Sequence, residues 1–96
     1  MRLLERFGAG LQRARKAHGL TQEDFSEVSS RTYLSSLERG LKAPTIAKLE
    51  EIVSVIGMHP LSLLALAYLP ATQEERRELC ERLTAEVSSV APETSC

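Results

Sequence analysis

Apolar residues recur along most of the chain at intervals of three and four positions, the spacing of one face of an α-helix. The first such stripe consists of Leu3, Leu4, Phe7, Leu11 and Ala14. It predicts a first helix over about residues 3–18, stopped by Gly19. No segment alternates apolar and polar residues over the length of a strand. The pattern therefore predicts an all-α fold of six short helices.

Two very short helices are predicted next. Thr21 and Asp24 are spaced as the first and last residues of a capping box, which opens a second helix over about residues 22–28. A third helix over about residues 31–38 ends at Gly40. Helices this short cannot pack side by side along their length. They must cross steeply, in a helix-turn-helix arrangement.

Three more helices follow. Thr45 is the expected N-cap of a fourth helix, which Gly57 stops. Pro60 suits the first turn of a fifth helix over about residues 60–69, and Pro70 ends that helix.

A second capping box predicts the sixth helix. It begins at Thr72 and opens a helix over about residues 72–87. The expected organisation is a helix-turn-helix domain over residues 1–70, a C-terminal helix over 71–87 and a flexible tail over 88–96.

The charge of the chain is unevenly distributed. The net charge of −1 alone argues against a strongly basic nucleic-acid binder. Residues 1–48, however, hold nine Lys and Arg against five acids, a net of +4, whereas residues 49–96 carry a net of −5. This asymmetry indicates an anionic partner for the first half.

Cysteines and apolar runs give expectations about the cellular compartment. Cys80 and Cys96 are too few for a disulfide framework, which favours a reduced cytoplasm, and Cys80 is expected to be a buried small hydrophobe. The longest apolar stretch, over residues 61–69, is far shorter than the roughly 20 residues that cross a bilayer. No membrane association is expected.

Catalytic and metal-binding patterns are not found in the sequence. It has no Gly-rich phosphate loop, no paired-carboxylate cleft and no Ser/His/Asp arrangement. His18 and His59 lack the short spacing of zinc ligands. We expect no enzymatic activity, no cofactor, no metal and no small-molecule ligand.

Three stretches carry a family resemblance. They are Gly19-Leu20-Thr21-Gln22-Glu23-Asp24, Tyr33-Leu34-Ser35 with Leu37-Glu38-Arg39-Gly40, and Pro44-Thr45. With them, about residues 5–67 resemble the Cro/C1-type (XRE) helix-turn-helix family. The resemblance implies a compact five-helix lambda-repressor-like DNA-binding domain, here with an additional C-terminal helix. It also implies a bacterial, nucleoid-associated transcriptional regulator that binds double-stranded DNA as a dimer on a palindromic operator.

One departure from the family pattern lies between the second and third predicted helices. The family has a turn with a Gly there, whereas Val28-Ser29-Ser30-Arg31 has none and is about two residues shorter. The shorter turn predicts a different start or a shifted angle for the third helix.

The resemblance assigns DNA contacts residue by residue. The third predicted helix would lie in the major groove and read bases. Its expected base-contacting residues are Arg31, Thr32, Ser35 and Ser36. The expected phosphate contacts are Gln22, Tyr33, Arg39, Lys42, Thr45 and Lys48.

A dimer interface is predicted on the fifth and sixth helices. The fifth is apolar on nearly every side, so another surface must cover it. The expected interface residues are Leu61, Leu64, Tyr68, Leu79, Leu83 and Val87. The alternative is that the sixth helix folds back onto its own domain.

Further alternatives concern function and charged residues. The chain could be an antitoxin or a protein-binding adaptor that also represses its own promoter. Arg13, Arg15 and Lys16 are expected to form a solvated helix face, with DNA contact as the alternative. Glu38 is expected to pair within the fold, with Arg15 or Arg39.

Overall fold

The computed structural model describes residues 2–68 and 70–91, which form five α-helices and one turn of 3₁₀ helix and contain no strand. The all-α prediction is confirmed. The elements are α1 (Leu3–Ala17), the 3₁₀ helix (Gln22–Phe25), α2 (Arg31–Glu38), α3 (Ile46–Ile56), α4 (Pro60–Tyr68) and α5 (Gln73–Val90).

The predicted stripes meet in one core. α1 packs against α4 and α2, the 3₁₀ helix packs against α2 and α3, and α3 packs against α4. The largest fully buried side chains are Leu11, Phe25, Leu34, Leu37, Ile52 and Leu63. Because α1 touches both α2 and α4, it fixes the position of α2 relative to the rest of the domain.

α1 and α2 approach so closely that a side chain would not fit between them. A Cβ atom on Gly8 would lie 2.4 Å from the carbonyl oxygen of Leu37 and 2.5 Å from that of Glu38. Both obstacles are backbone atoms, which cannot rotate away. Gly8 therefore permits the contact between α1 and the C-terminal end of α2.

The predicted helix boundaries need two corrections. The second predicted helix, over about 22–28, is a 3₁₀ helix of only four residues, after which the chain turns through Val28. Thr21 occupies the N-cap position as predicted, and Asp24 Oδ2 accepts its backbone N–H at 2.7 Å. α5 continues to Val90, so the predicted tail begins too early. The rest of that tail, residues 92–96, lies outside the described residues, as do Met1 and Leu69.

α5 stands apart from the core. Every one of its residues is exposed except Leu79, which is half-buried, and no other described element packs extensively against it. The predicted burial of Cys80 is wrong, since its side chain is exposed on this helix. Among the described residues, no single helix is long and apolar enough to cross a membrane, and α3 with α4 reaches that length only as a pair bent by 103°.

Candidate nucleic-acid interface

α2 presents a polar face to solvent from its first residue onward. Ser30 is its N-cap, and the Ser30 hydroxyl accepts the backbone N–H of Tyr33 at 3.1 Å. Because 3.6 residues make one turn, side chains three and four positions apart share a face. The outward face carries Arg31, Thr32, Ser35 and Arg39, which together with Gln22 line one shallow surface depression.

Arg31 is the most available cation on this face. Its only ion pair within the described residues is with Glu23, at 3.8 Å between Nη1 and Oε1, and both side chains are more than 70% exposed. Exposed pairs of this kind contribute little, about 0–1 kcal/mol, so they do not hold a guanidinium in place. Arg31 can therefore leave Glu23 for another anion or a base edge.

Ser36 does not belong to the exposed face. It is only 7% exposed, whereas Thr32 is exposed. Ser36 lies about 140° around the helix from Arg31, past Thr32 and toward the side that packs on the core. The predicted base contact by Ser36 is therefore corrected, because a side chain buried in the free protein cannot reach a groove.

A buried ion pair anchors the far end of α2. Arg15 Nε donates to Glu38 Oε2 at 2.6 Å and its Nη2 donates to Oε1 at 3.0 Å, in a two-pronged contact. The Arg15 Nη1 donates to the Leu20 carbonyl at 3.0 Å. Hydrogen bonding to Glu38 raises the pKa of Arg15 above its ordinary value, against the opposing effect of burial.

This geometry settles two expectations from the sequence. Arg15 is the partner of Glu38, and it is buried rather than part of a solvated face, whereas Arg13 and Lys16 are exposed. Sequence reasoning missed that Glu38 also holds Gln22, whose Nε2 donates to Glu38 Oε1 at 3.2 Å. Spacing along the chain gives no sign of this contact, because it joins residues from two different helices.

The other predicted phosphate contacts form a second group around Tyr33. The Nζ atoms of Lys42 and Lys48 lie 5.7 and 6.0 Å from the centroid of the Tyr33 ring, within the range of cation–π attraction. Lys48 Nζ also donates to the Val28 carbonyl at 2.5 Å. The Thr45 hydroxyl caps α3 by accepting the Lys48 backbone N–H at 3.0 Å. Lys42 is thus the freer of the two lysines.

The predicted dimer residues fall on two separate surfaces. Leu61 and Tyr68 are exposed on α4, with Leu64 half-buried beside them. Leu83 and Val87 are exposed on α5, at 51% and 64%. The structure does not bring the two sets together within one chain.

A one-turn helix packed against a capped, outward-facing helix of eight residues is the arrangement of helix-turn-helix proteins. Comparison with known proteins agrees. The helix-turn-helix family profile matches residues 11–63, more than half of the chain. The chain belongs to the Cro/C1-type (XRE) helix-turn-helix family, which gives it a DNA-binding role in transcription regulation.

One relative is described as an uncharacterized HTH-type transcriptional regulator, y4dJ, of Sinorhizobium fredii (strain NBRC 101917 / NGR234). It is 41% identical over 59 residues, which cover 59% of this chain and 77% of the relative. No solved structure matches the chain significantly.

Proposed function

We propose that the protein is a sequence-specific regulator that inserts α2 into the major groove of double-stranded DNA and binds a palindromic operator as a homodimer. The observation that carries this proposal is the outward face of α2, where Arg31 and Thr32 stand exposed at the first turn. The first turn of a recognition helix is the part that contacts base edges in helix-turn-helix complexes.

Base reading is assigned to three residues. Arg31 can donate two hydrogen bonds to O6 and N7 of a guanine, a contact that discriminates by about 1–3 kcal/mol. Thr32 offers a methyl group for thymine or a hydroxyl for a base edge. Ser35 is small and half-buried, which lets the helix approach the base pairs closely.

Phosphate contacts are assigned to the residues around this face. Gln22 is held by Glu38 at the edge of the depression, and Arg39 is exposed at the end of α2. The group around Tyr33 is assigned to phosphate as well, with Lys42, Lys48 and Thr45 as its other members. Such contacts fix the register of the protein on DNA without reading the sequence.

Dimer formation is the second part of the proposal. The exposed apolar residues of α4 and α5 are surfaces that a second subunit would cover. Two subunits would then present two α2 helices to half-sites about 34 Å apart, one turn of the duplex. We also propose that the protein acts in the bacterial cytoplasm, on nucleoid DNA, and has no catalytic activity.

Selection from a random pool of duplex DNA tests the proposal. We expect enrichment of an inverted repeat whose half-site centres lie about 10 base pairs apart, or a multiple of that. The control is a variant with Arg31, Thr32 and Ser35 all changed to Ala, which keeps the phosphate contacts and should bind without enrichment. Failure of the wild-type protein to enrich any sequence would overturn the proposal.

A further inference from the structure

The side chain of Gln22 joins the outward face of α2 to a buried ion pair. It is half-buried and lines the shallow depression that it shares with Arg31 and Arg39. At the same time its Nε2 donates to Glu38 Oε1 at 3.2 Å, and the Glu38 side chain is only 2% exposed. One side of the Gln22 amide is therefore open to a ligand, and the other is bonded to a group that is shielded from water.

The Glu38 carboxylate is held in place and cannot turn away from Gln22. Arg15 donates to both of its oxygens, and the Leu20 carbonyl accepts a further N–H of Arg15 at 3.0 Å. The Arg15 side chain is itself only 9% exposed, so water competes little for these bonds. The hydrogen-bond acceptor that faces Gln22 therefore has a fixed position at the contact between α1 and α2.

The chemistry of the carboxylate sets the orientation of the Gln22 amide. A carboxylate only accepts hydrogen bonds, so Gln22 has to turn its NH2 group, and not its carbonyl oxygen, toward Glu38. The NH2 group has two N–H bonds, and Glu38 accepts from one of them. The second N–H stays available as a donor at the edge of the depression, where an anion would approach.

We propose that Arg15 and Glu38 are positioning residues for DNA binding, which hold the Gln22 amide ready to donate to a backbone phosphate before DNA arrives. The inference rests on the proposed function, in which Gln22 contacts phosphate. Because a side chain that is already ordered loses less freedom on binding, this restraint should strengthen operator binding about three- to tenfold. Arg15 balances the charge of Glu38, so the restraint adds no net negative charge beside the phosphates.

A double-mutant cycle on operator affinity tests this role. Glu38→Gln keeps the shape of the side chain, but its single amide oxygen cannot accept from both Arg15 and Gln22. We expect Glu38→Gln to weaken binding about three- to tenfold more in the wild-type background than in a Gln22→Ala background. The positive charge left unpaired on Arg15 is the same in both backgrounds and cancels. The matched control combines Glu38→Gln with Lys42→Ala, and these two effects should be independent because Lys42 faces Tyr33.

A second measurement needs no substitution at the buried pair, and so it does not depend on the folding of a variant. In the free wild-type protein, NMR relaxation of the side-chain NH2 groups compares Gln22 with Gln12 and Gln73, which are both exposed. For Gln22 we expect an order parameter close to that of rigid backbone, about 0.85, and for Gln12 and Gln73 values below about 0.6.

Two results would overturn the inference and leave the proposed function intact. Independent effects of Glu38→Gln and Gln22→Ala, in variants that circular dichroism shows to be folded, would mean that the ion pair only stabilises the fold. A Gln22 amide as mobile as those of Gln12 and Gln73 would mean that Glu38 does not hold it. If the wild-type protein selects no operator at all, the proposed function fails and the positioning role fails with it.

Discussion

Arg31 is the residue on which sequence preference depends. It is the first residue of α2, its guanidinium is exposed, and only the weak contact with Glu23 restrains it. Arg31→Ala should lower affinity for the selected operator by about 1–3 kcal/mol and relax preference at one base pair. Titration against duplexes carrying each base at that position measures this. Equal weakening on every duplex would show that Arg31 contacts only phosphate.

Arg39 lies on the same face as Arg31, and it provides a comparison between phosphate and base contacts. It sits at the C-terminal end of α2, so we assign it to phosphate rather than to a base. Arg39→Ala should weaken binding to all duplexes alike and reduce the slope of log K against log salt by about one. A change of base preference in this variant would contradict the assignment.

Glu38 should be more important for stability than any surface charge. Glu38→Ala leaves Arg15 buried without its partner, which should lower the free energy of unfolding by about 3–5 kcal/mol. The matched control is Glu86→Ala, which removes the exposed Arg82–Glu86 pair and should cost less than about 1 kcal/mol. Urea denaturation of both variants measures the difference. A similar small loss in both would show that the Arg15–Glu38 pair contributes no more than an exposed one.

For single residues, the sequence predicted the exposure of some side chains correctly and that of others wrongly. Arg31 and Thr32 are exposed as expected because both lie on the first turn of α2. Ser36 was wrongly predicted to be exposed, because a serine occurs on the buried side of a helix as readily as on the exposed side. The partner of Glu38 stayed open between Arg15 and Arg39, since only the packing of α1 against α2 brings Arg15 to it.

Among the elements, the one that precedes α2 differs most from its prediction. It is a single turn of 3₁₀ helix, while α2 begins at Arg31 as predicted. Capping residues such as Ser30 and Thr45 mark helix starts because their hydroxyls accept free backbone N–H groups. Whether a single turn is α-helical or 3₁₀ depends on tertiary packing, which the spacing of apolar residues within that turn does not encode.

Gly8 provides a prediction at the contact between α1 and α2. Helix propensity alone says that Gly8→Ala should stabilise α1 by up to about 1 kcal/mol. The clash with the Leu37 and Glu38 carbonyls should dominate, so we expect a net loss of about 1–3 kcal/mol and shifted amide resonances along α2. Thermal unfolding and NMR measure these effects. A variant of equal or greater stability would show that α1 and α2 do not approach so closely.

In the whole molecule, the two most exposed functional elements carry opposite charge environments along the chain. α2 belongs to the half of net charge +4, and α5 belongs to the half of net charge −5. Near-neutrality overall should weaken non-specific attraction to DNA and leave more of the affinity to base contacts. The sequence predicted this division. It did not decide whether α5 packs against a second subunit or folds back onto its own domain, because an apolar helix face can pack against either one.

The oligomeric state should depend on the apolar residues that share one side of α5, namely Leu79, Leu83, Val87 and Val90. We expect light scattering to report a dimer for the wild-type protein at micromolar concentrations and a monomer for Leu83→Glu, because a buried unpaired carboxylate opposes association. The control, Ala85→Glu, places the same charge on the opposite side of α5 and should remain dimeric. If both Leu83→Glu and Ala85→Glu remained dimeric, α5 would lie outside the interface.

Methylation interference on the selected operator tests most directly whether α2 reads DNA through the major groove. Methyl groups on guanine N7 project into the major groove, whereas methyl groups on adenine N3 project into the minor groove. We expect N7 methylation to block the wild-type protein at one guanine in each half-site, about one helical turn apart, and Arg31→Ala to lose that sensitivity. Interference confined to adenine N3, or none at any base in a bound operator, would contradict the central claim.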